Sequence, residues 1–219
     1  MKLFDSKIII AGAGGFAKEV LMYVHDIYTL ESHTFPFQEA VEFMVDDASF
    51  TESSIHGIKI LPQSEFSPGI GKVIIAIGSV KIREKIARNL PQNTQYATLI
   101  HPTANVSQWT SIGEGAVITP GCIITVDTRI GKQSQINFQS CIAHDCTIGD
   151  FVTTAPGVRI SGNCSIGNHV YFGTNAIIRQ GISICDETTI GMGAVILNTI
   201  TQAGTYVGNP ARKLPDALG

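Results

Sequence analysis

From Val106 onward the chain repeats every six residues. Each sixth position is Val106, Ile112, Ile118, Ile124, Ile130, Ile136, Ile142, Ile148, Thr154, Ile160, Ile166, Phe172, Ile178, Ile184, Ile190 and Ile196. Fifteen of these sixteen residues are bulky and apolar, and no insertion breaks the phase. The fourth residue after each is mostly small, as at Ala116, Cys122, Cys146, Val152, Cys164, Ala176 and Ala194. Glycine recurs at Gly113, Gly131, Gly149 and Gly167, every 18 residues. Three hexads therefore make one coil of a triangular prism. One hexad is a short strand and a corner, too small to bury anything alone, and stacked coils bury a continuous core. Composition agrees: the chain has 31 isoleucines and nine leucines, with no leucine between Leu99 and Leu197. β-branched side chains are stiff at χ1 and suit strands.

Residues 1–98 follow another grammar. Lys7 to Ala11 is a buried-strand run, broken by Gly12-Ala13-Gly14-Gly15. Apolar residues at helical spacing (Phe16, Val20, Tyr23, Val24, Ile27) predict a helix over 16–28. Further strands are expected at 43–45, ending in Asp46-Asp47, and at 72–77, ending at Gly78, with a second helix over 81–90. Strands alternating with helices imply parallel pairing. The expected organisation is an α/β Rossmann-like domain over 1–98 and an all-β parallel β-helix with a C-terminal tail over 99–219.

Charged residues are 15% of the chain and the net charge is −3. That leaves no basic footprint for nucleic acid. No apolar run approaches the roughly 20 residues of a membrane span, and the N-terminus carries no signal-peptide pattern. A cytoplasmic protein is expected, with neither nucleic acid nor membrane as partner. Cys122, Cys146 and Cys164 occupy the small interior position, while Cys141 and Cys185 fall elsewhere; five cysteines without a secretory signal give no disulfide framework. His101, before Pro102, is expected to mark the start of the β-helix.

Ile8 to Val20 with its glycine loop, Asp46-Asp47, Ala76-Ile77-Gly78, the hexads around Ala143-His144-Asp145-Cys146, and the tail Val207 to Lys213 together carry a resemblance. The chain resembles the bacterial nucleotide-sugar N-acetyltransferases of glycan biosynthesis, hexapeptide-repeat enzymes with sialic acid O-acetyltransferases as close relatives. The resemblance, not the spacing, implies a left-handed β-helix. It implies a homotrimer with acetyl-CoA bound between adjacent β-helices, and a nucleotide-sugar held by the N-terminal domain, the sugar being a 4-amino-4,6-dideoxy sugar. His144 is then the base that deprotonates the sugar amine and Asp145 its support, with Asn137 toward the acceptor.

The chemistry fits the residue types. Histidine titrates near neutral pH, and an adjacent carboxylate can orient its ring. Gly12, Gly14 and Gly15 lie between a strand and a helix, where backbone approaches a phosphate. Ala17 replaces the last glycine of a full dinucleotide fingerprint. Asp46, Asp47 and Gly78 complete the expected substrate set. For the cofactor the expected contacts are Arg179, Arg212 and Lys213 to phosphates, Gly162 beside the pantetheine arm, and Thr153, where some relatives carry a second histidine. Trp109 and Phe138 are expected near the trimer surface, and His169 is expected to be solvated or near a subunit interface. No metal is expected: a β-helical zinc hydratase needs three converging histidines, and the repeat holds His144 and His169, with His101 at its edge. O-acetylation of a sugar such as sialic acid, and a non-catalytic nucleotide-sugar-binding scaffold, stay open as alternatives.

Overall fold

The computed structural model describes residues 3–31 and 33–215. Its contacts divide the chain into Met1–His101 and Pro102–Gly219. His101 belongs with the first unit because its ring contacts Asp26 (Nε2 to Oδ2, 3.2 Å) and packs edge-on against Tyr23.

In the first unit β1 (Ile8–Ala11) is buried throughout. Helix α1 (Gly15–Leu30) buries Ala17, Val20, Leu21, Tyr23, Val24 and Ile27, the predicted stripe with Ala17 and Leu21 added and Phe16 only half-buried. After the short α2 (Phe37–Ala40) comes β2 (Val41–Val45). β3 (Ser54–Ile55) and β4 (Ile58–Pro62) form a hairpin absent from the sequence reading. Its two-residue turn, His56-Gly57, has φ of 52° and 76°, the left-handed pair that hairpin twist favours. β5 (Lys72–Ile75), α3 (Val80–Asn89) and the short β6 (Leu99–Ile100) follow. The sheet order is β3-β4-β2-β1-β5, and β1 pairs in parallel with both β2 and β5. The chain goes to one side of β1 for β2 and to the other for β5. That makes the carboxyl end of β1 a topological switch point, where sheets of this type open a crevice.

In the second unit, sixteen short strands run from β7 (Asn105–Val106) to β22 (Val195–Ile196), one per hexad. They stack into three faces of a left-handed β-helix, always pairing with the residue 18 positions on, as in Ile124 with Ile142 and Ile142 with Ile160. The first face carries Asn105, Ile123, Cys141, Arg159, Ile177 and Val195 outward; the second carries Ser111, Arg129, Thr147, Ser165 and Ser183; the third carries Val117, Gln135, Thr153, Tyr171 and Thr189. β23 (Gly204–Val207) and β24 (Arg212–Lys213) extend the third face.

The predicted interior is the observed one. Ile118, Ile136, Ile142, Phe172, Ile178 and Ile190 are fully buried, with Cys122, Cys146 and Cys164 beside them in one core. Burial pushes the Cys122 thiol up, and the neighbouring Cys164 thiol and burial push Cys146 up, so both stay protonated packing groups. Thr154, the one polar rung, is satisfied: its hydroxyl accepts from the Asn137 N–H at 2.9 Å and lies 3.2 Å from the Ser140 hydroxyl. Truncating a rung leaves a cavity, so Ile142→Ala is expected to cost about 2–5 kcal/mol, read as a lower denaturant midpoint.

The corners carry a second period of six. φ is positive at Gly115 and at every sixth residue through Gly193, including Asp127, Gln133, Gln139, Asp145, Phe151, Asn163, His169, Asn175 and Glu187. Left-handed backbone is costly for side-chain-bearing residues, and the coil-to-coil ladders hold it in place. The glycines 18 apart are explained by contact as well. A Cβ on Gly131 would lie 2.3 Å from the Gly149 carbonyl oxygen, and one on Gly149 would lie 2.6 Å from the Gly167 carbonyl carbon. No helix among the described residues is long and apolar enough to cross a membrane.

Candidate active site

His144 and Asp145 sit at the corner between the first and second faces. Inward Ile142 fixes the phase of this coil. Two residues later the chain leaves the prism wall, so the His144 side chain projects outward and is 54% exposed. Asp145 occupies the left-handed corner position, with φ of 57°. Its N–H donates to the Val126 carbonyl of the preceding coil at 3.2 Å. Its carboxylate Oδ2 lies 2.7 Å from His144 Nδ1. A carboxylate there accepts the Nδ1 proton, which leaves Nε2 as the nitrogen able to take up another.

Gly162 lies one coil further along this corner. A Cβ on it would be 2.6 Å from His144 Cε1 and Nε2 and 3.0 Å from Nδ1. The imidazole therefore rests on the bare α-carbon of Gly162, a contact that the sequence reading did not foresee. The role predicted for this glycine was space for a cofactor arm.

The same corner continues through Gln180 to Asn198. Three coils separate His144 from Asn198, about 14 Å at the strand spacing of parallel sheets. Asn198 lines a cleft of about 200 Å³ with Ile196, Leu197, Tyr206, Arg212 and Lys213. Arg179 lies between, two coils along from Ala143, with its N–H on the Ile196 carbonyl. The edge thus has a proton-accepting ring at one end and cationic side chains two and three coils on. Tyr206 and Asn198 were missed by sequence reasoning, because the cleft depends on the tail folding back as β23 and β24.

Two predicted residues are not brought to this corner. Thr153 faces outward from the third face and is 3% exposed. This expected cofactor contact is thus buried on another face of its own chain. Asn137 lies at the corner between the third and first faces, so the width of the first face separates it from His144.

The first unit holds the other predicted residues at the carboxyl ends of its strands. Gly12 ends β1 with φ of 119°, and a Cβ there would be 2.8 Å from Ile77 Cδ1. Only glycine suits both the angle and the contact. Gly14 and Gly15 begin α1, and a Cβ on either would meet open space, so the helix N-terminus, which favours anions, is uncovered by nearby groups of its own unit. Gly78 is exposed on the loop after β5. Asp46 is engaged locally: its two carboxylate oxygens accept from the Ser49 N–H (3.0 Å) and hydroxyl (2.7 Å). The Ser49 hydroxyl bond holds its carboxyl below the usual range. The Asp47 carboxylate accepts from the Ser64 hydroxyl. Both aspartates thus cap and tie the loops beyond β2. Among the described residues, no three His, Cys, Asp or Glu side chains are grouped to hold a metal ion.

The family model of the PglD N-terminal domain matches residues 7–90. GDP-perosamine N-acetyltransferase of Escherichia coli O157:H7 is 34% identical over 215 residues, covering 94% of this chain and 95% of that protein. The acetyltransferase domain of PglB from Neisseria gonorrhoeae FA1090, solved with acetyl coenzyme A, is 30% identical with a TM-score of 0.84, covering 95% of this chain and 98% of that one. WeeI from Acinetobacter baumannii AYE is 33% identical with a TM-score of 0.85, covering 95% and 100%.

Proposed function

Because the chain belongs to the bacterial nucleotide-sugar N-acetyltransferases, we propose that it transfers an acetyl group from acetyl-CoA to the amino group of a nucleotide-linked 4-amino-4,6-dideoxy sugar. The reaction serves glycan biosynthesis in the cytoplasm. The observation that carries the reading is the 2.7 Å contact between His144 Nδ1 and Asp145, on a corner whose next coil is bare at Gly162.

In this reading His144 Nε2 is the general base. The amine nitrogen attacks the thioester carbonyl carbon and its proton passes to Nε2. The carbon–sulfur bond then breaks, and the imidazolium returns the proton to the leaving thiolate. Asp145 keeps Nδ1 protonated and stabilises the imidazolium. The cofactor supplies the activated acetyl group. Arg179, Arg212 and Lys213 take its phosphates, and Gly162 leaves room for its arm beside the imidazole. The first unit takes the nucleotide, with the pyrophosphate at the start of α1 by Gly12, Gly14 and Gly15 and the remainder near Asp46, Asp47 and Gly78.

Three copies complete the site. The outward row of the first face is mostly apolar after Asn105, with Ile123 and Ile177 45% and 44% exposed, interrupted by Arg159, whose guanidinium donates to the Gln139 carbonyl. The second face presents serine, threonine and arginine. A ring of copies joined through the first face would bring one copy's Asn137 corner toward its neighbour's His144 corner, supplying a residue that a single chain keeps apart. Light scattering should then give about 70 kDa, three times the 23.4 kDa chain. Ile177→Asp should give monomers with little activity, and active monomers would contradict the shared site.

The test of the reaction is incubation with acetyl-CoA and a panel of GDP-, UDP- and dTDP-linked amino sugars and their hydroxyl counterparts, read by free thiol release and product mass. An acetamido product from an amino sugar is expected. Acetylation confined to hydroxyls, or no thiol release with any acceptor, would refute it.

A further inference from the structure

Among the described residues of the first unit, Arg83 is the one charged side chain with no exposed surface, and it is the buried residue of α3. A helix laid on a sheet normally buries aliphatic residues there. Side chains on a helix lean toward its N-terminus, and Arg83 reaches back past the start of α3. Its Nη1 donates to the Ile77 carbonyl at 2.8 Å and meets the Gly78 carbonyl at 3.3 Å. Both carbonyls belong to the loop leaving β5. Burial pulls the guanidinium down to about 9, still charged at neutral pH. Arginine is suited to a buried place of this kind because its planar fork can serve several acceptors at once.

The loop that Arg83 holds leaves β5 beside the carboxyl end of β1, the switch point of the sheet. Ile77 Cδ1 lies 2.8 Å from where a Cβ on Gly12 would be, and the Ala76 N–H donates to the Ala11 carbonyl at 2.8 Å. The contacts run from the buried cation to the Ile77 and Gly78 carbonyls, from the Ile77 side chain to Gly12, and from Gly12 to the glycine loop that opens α1. We infer that Arg83 is a positioning residue for the nucleotide half of the substrate, fixing the 77–78 loop against Gly12 so that the crevice is formed before ligand arrives. A group that only shapes the free site acts on binding and leaves the chemical step alone.

The inference rests on the proposed nucleotide site and is tested in the full chain. Arg83→Met is expected to raise KM for the amino nucleotide-sugar about tenfold or more, with kcat within about twofold and KM for acetyl-CoA unchanged. Arg83→Lys, which keeps a cation and one donor, should fall between. Ile77→Ala keeps the buried cation and removes the contact with Gly12, so it should show the same pattern more weakly, and it decides the matter if Arg83→Met does not fold. An unchanged nucleotide-sugar KM in folded Arg83→Met or in Ile77→Ala, or a parallel loss of kcat and of acetyl-CoA binding, overturns the inference. A wild-type protein that binds no nucleotide-sugar would instead refute the underlying reading.

Discussion

Replacing His144 with alanine is expected to lower kcat/KM for the amino nucleotide-sugar by about 10²–10⁴-fold, the usual worth of a positioned general base. The side chain is half exposed and anchors no part of the core, so the fold should be unaffected. The deficit should lie mainly in kcat, because the base acts on a proton that moves only as the new bond forms. Asp145→Asn should cost less than His144→Ala, since the ring stays in place while its charged state loses a partner. Thiol release under saturating acetyl-CoA measures both variants. A His144→Ala enzyme within about fivefold of wild type would remove histidine from the proton transfer.

The second large effect is expected from one added methyl group. Gly162→Ala places a Cβ 2.6 Å from two atoms of the His144 ring, closer than carbon and nitrogen can approach. The ring is the movable partner, because the Gly162 backbone is held at the corner, its carbonyl accepting from the Gly181 N–H of the next coil at 3.0 Å. It must swing away, and its 2.7 Å contact with Asp145 must lengthen or break. A displacement of about 1 Å at a reacting group can cost about a hundredfold, so kcat should fall by about 10–100-fold with thermal stability nearly unchanged. Calorimetric binding of acetyl-CoA separates two roles for this glycine. Retained affinity with lost kcat assigns it to the imidazole. Lost affinity with a normal kcat at saturation assigns it to the cofactor arm.

The period of six made the second half legible because the prism repeats one environment sixteen times. Each aliphatic rung from Val106 to Ile196 meets the same interior, so a stiff β-branched side chain recurs, and the same phase put His144 outside the wall and Cys146 inside it. What single positions adopt at the corners was not legible. Phe151 and His169 share the left-handed backbone of Asp145 although neither residue type announces it; ladders from adjacent coils impose the angle, and the two rings stack at 5.4 Å. Contacts between coils were hidden for the same reason. Gly162 looked like a corner glycine because the ring it supports is 18 residues away. In the first half, the spacing of α1 was plain, but the β3–β4 hairpin was not, since its strands are short and partly exposed. Arg83 reads as an ordinary helix-surface cation until the sheet beneath α3 is known. Thr153 was expected at the site from the resemblance; within one chain its half-coil offset from His144 turns it to a different face.

In the proposed mechanism His144 draws the proton from a sugar amine as acetyl moves from sulfur to nitrogen. A single-turnover reaction with carbonyl-labelled [¹³C]acetyl-CoA and the amino nucleotide-sugar, followed by NMR, tests it most directly. The wild-type protein should convert the thioester signal into an amide signal on the sugar nitrogen. His144→Ala should bind both substrates and leave the thioester signal in place over the same interval. An amide signal that appears at a similar rate in His144→Ala, or an ester signal in the wild type, would contradict this mechanism.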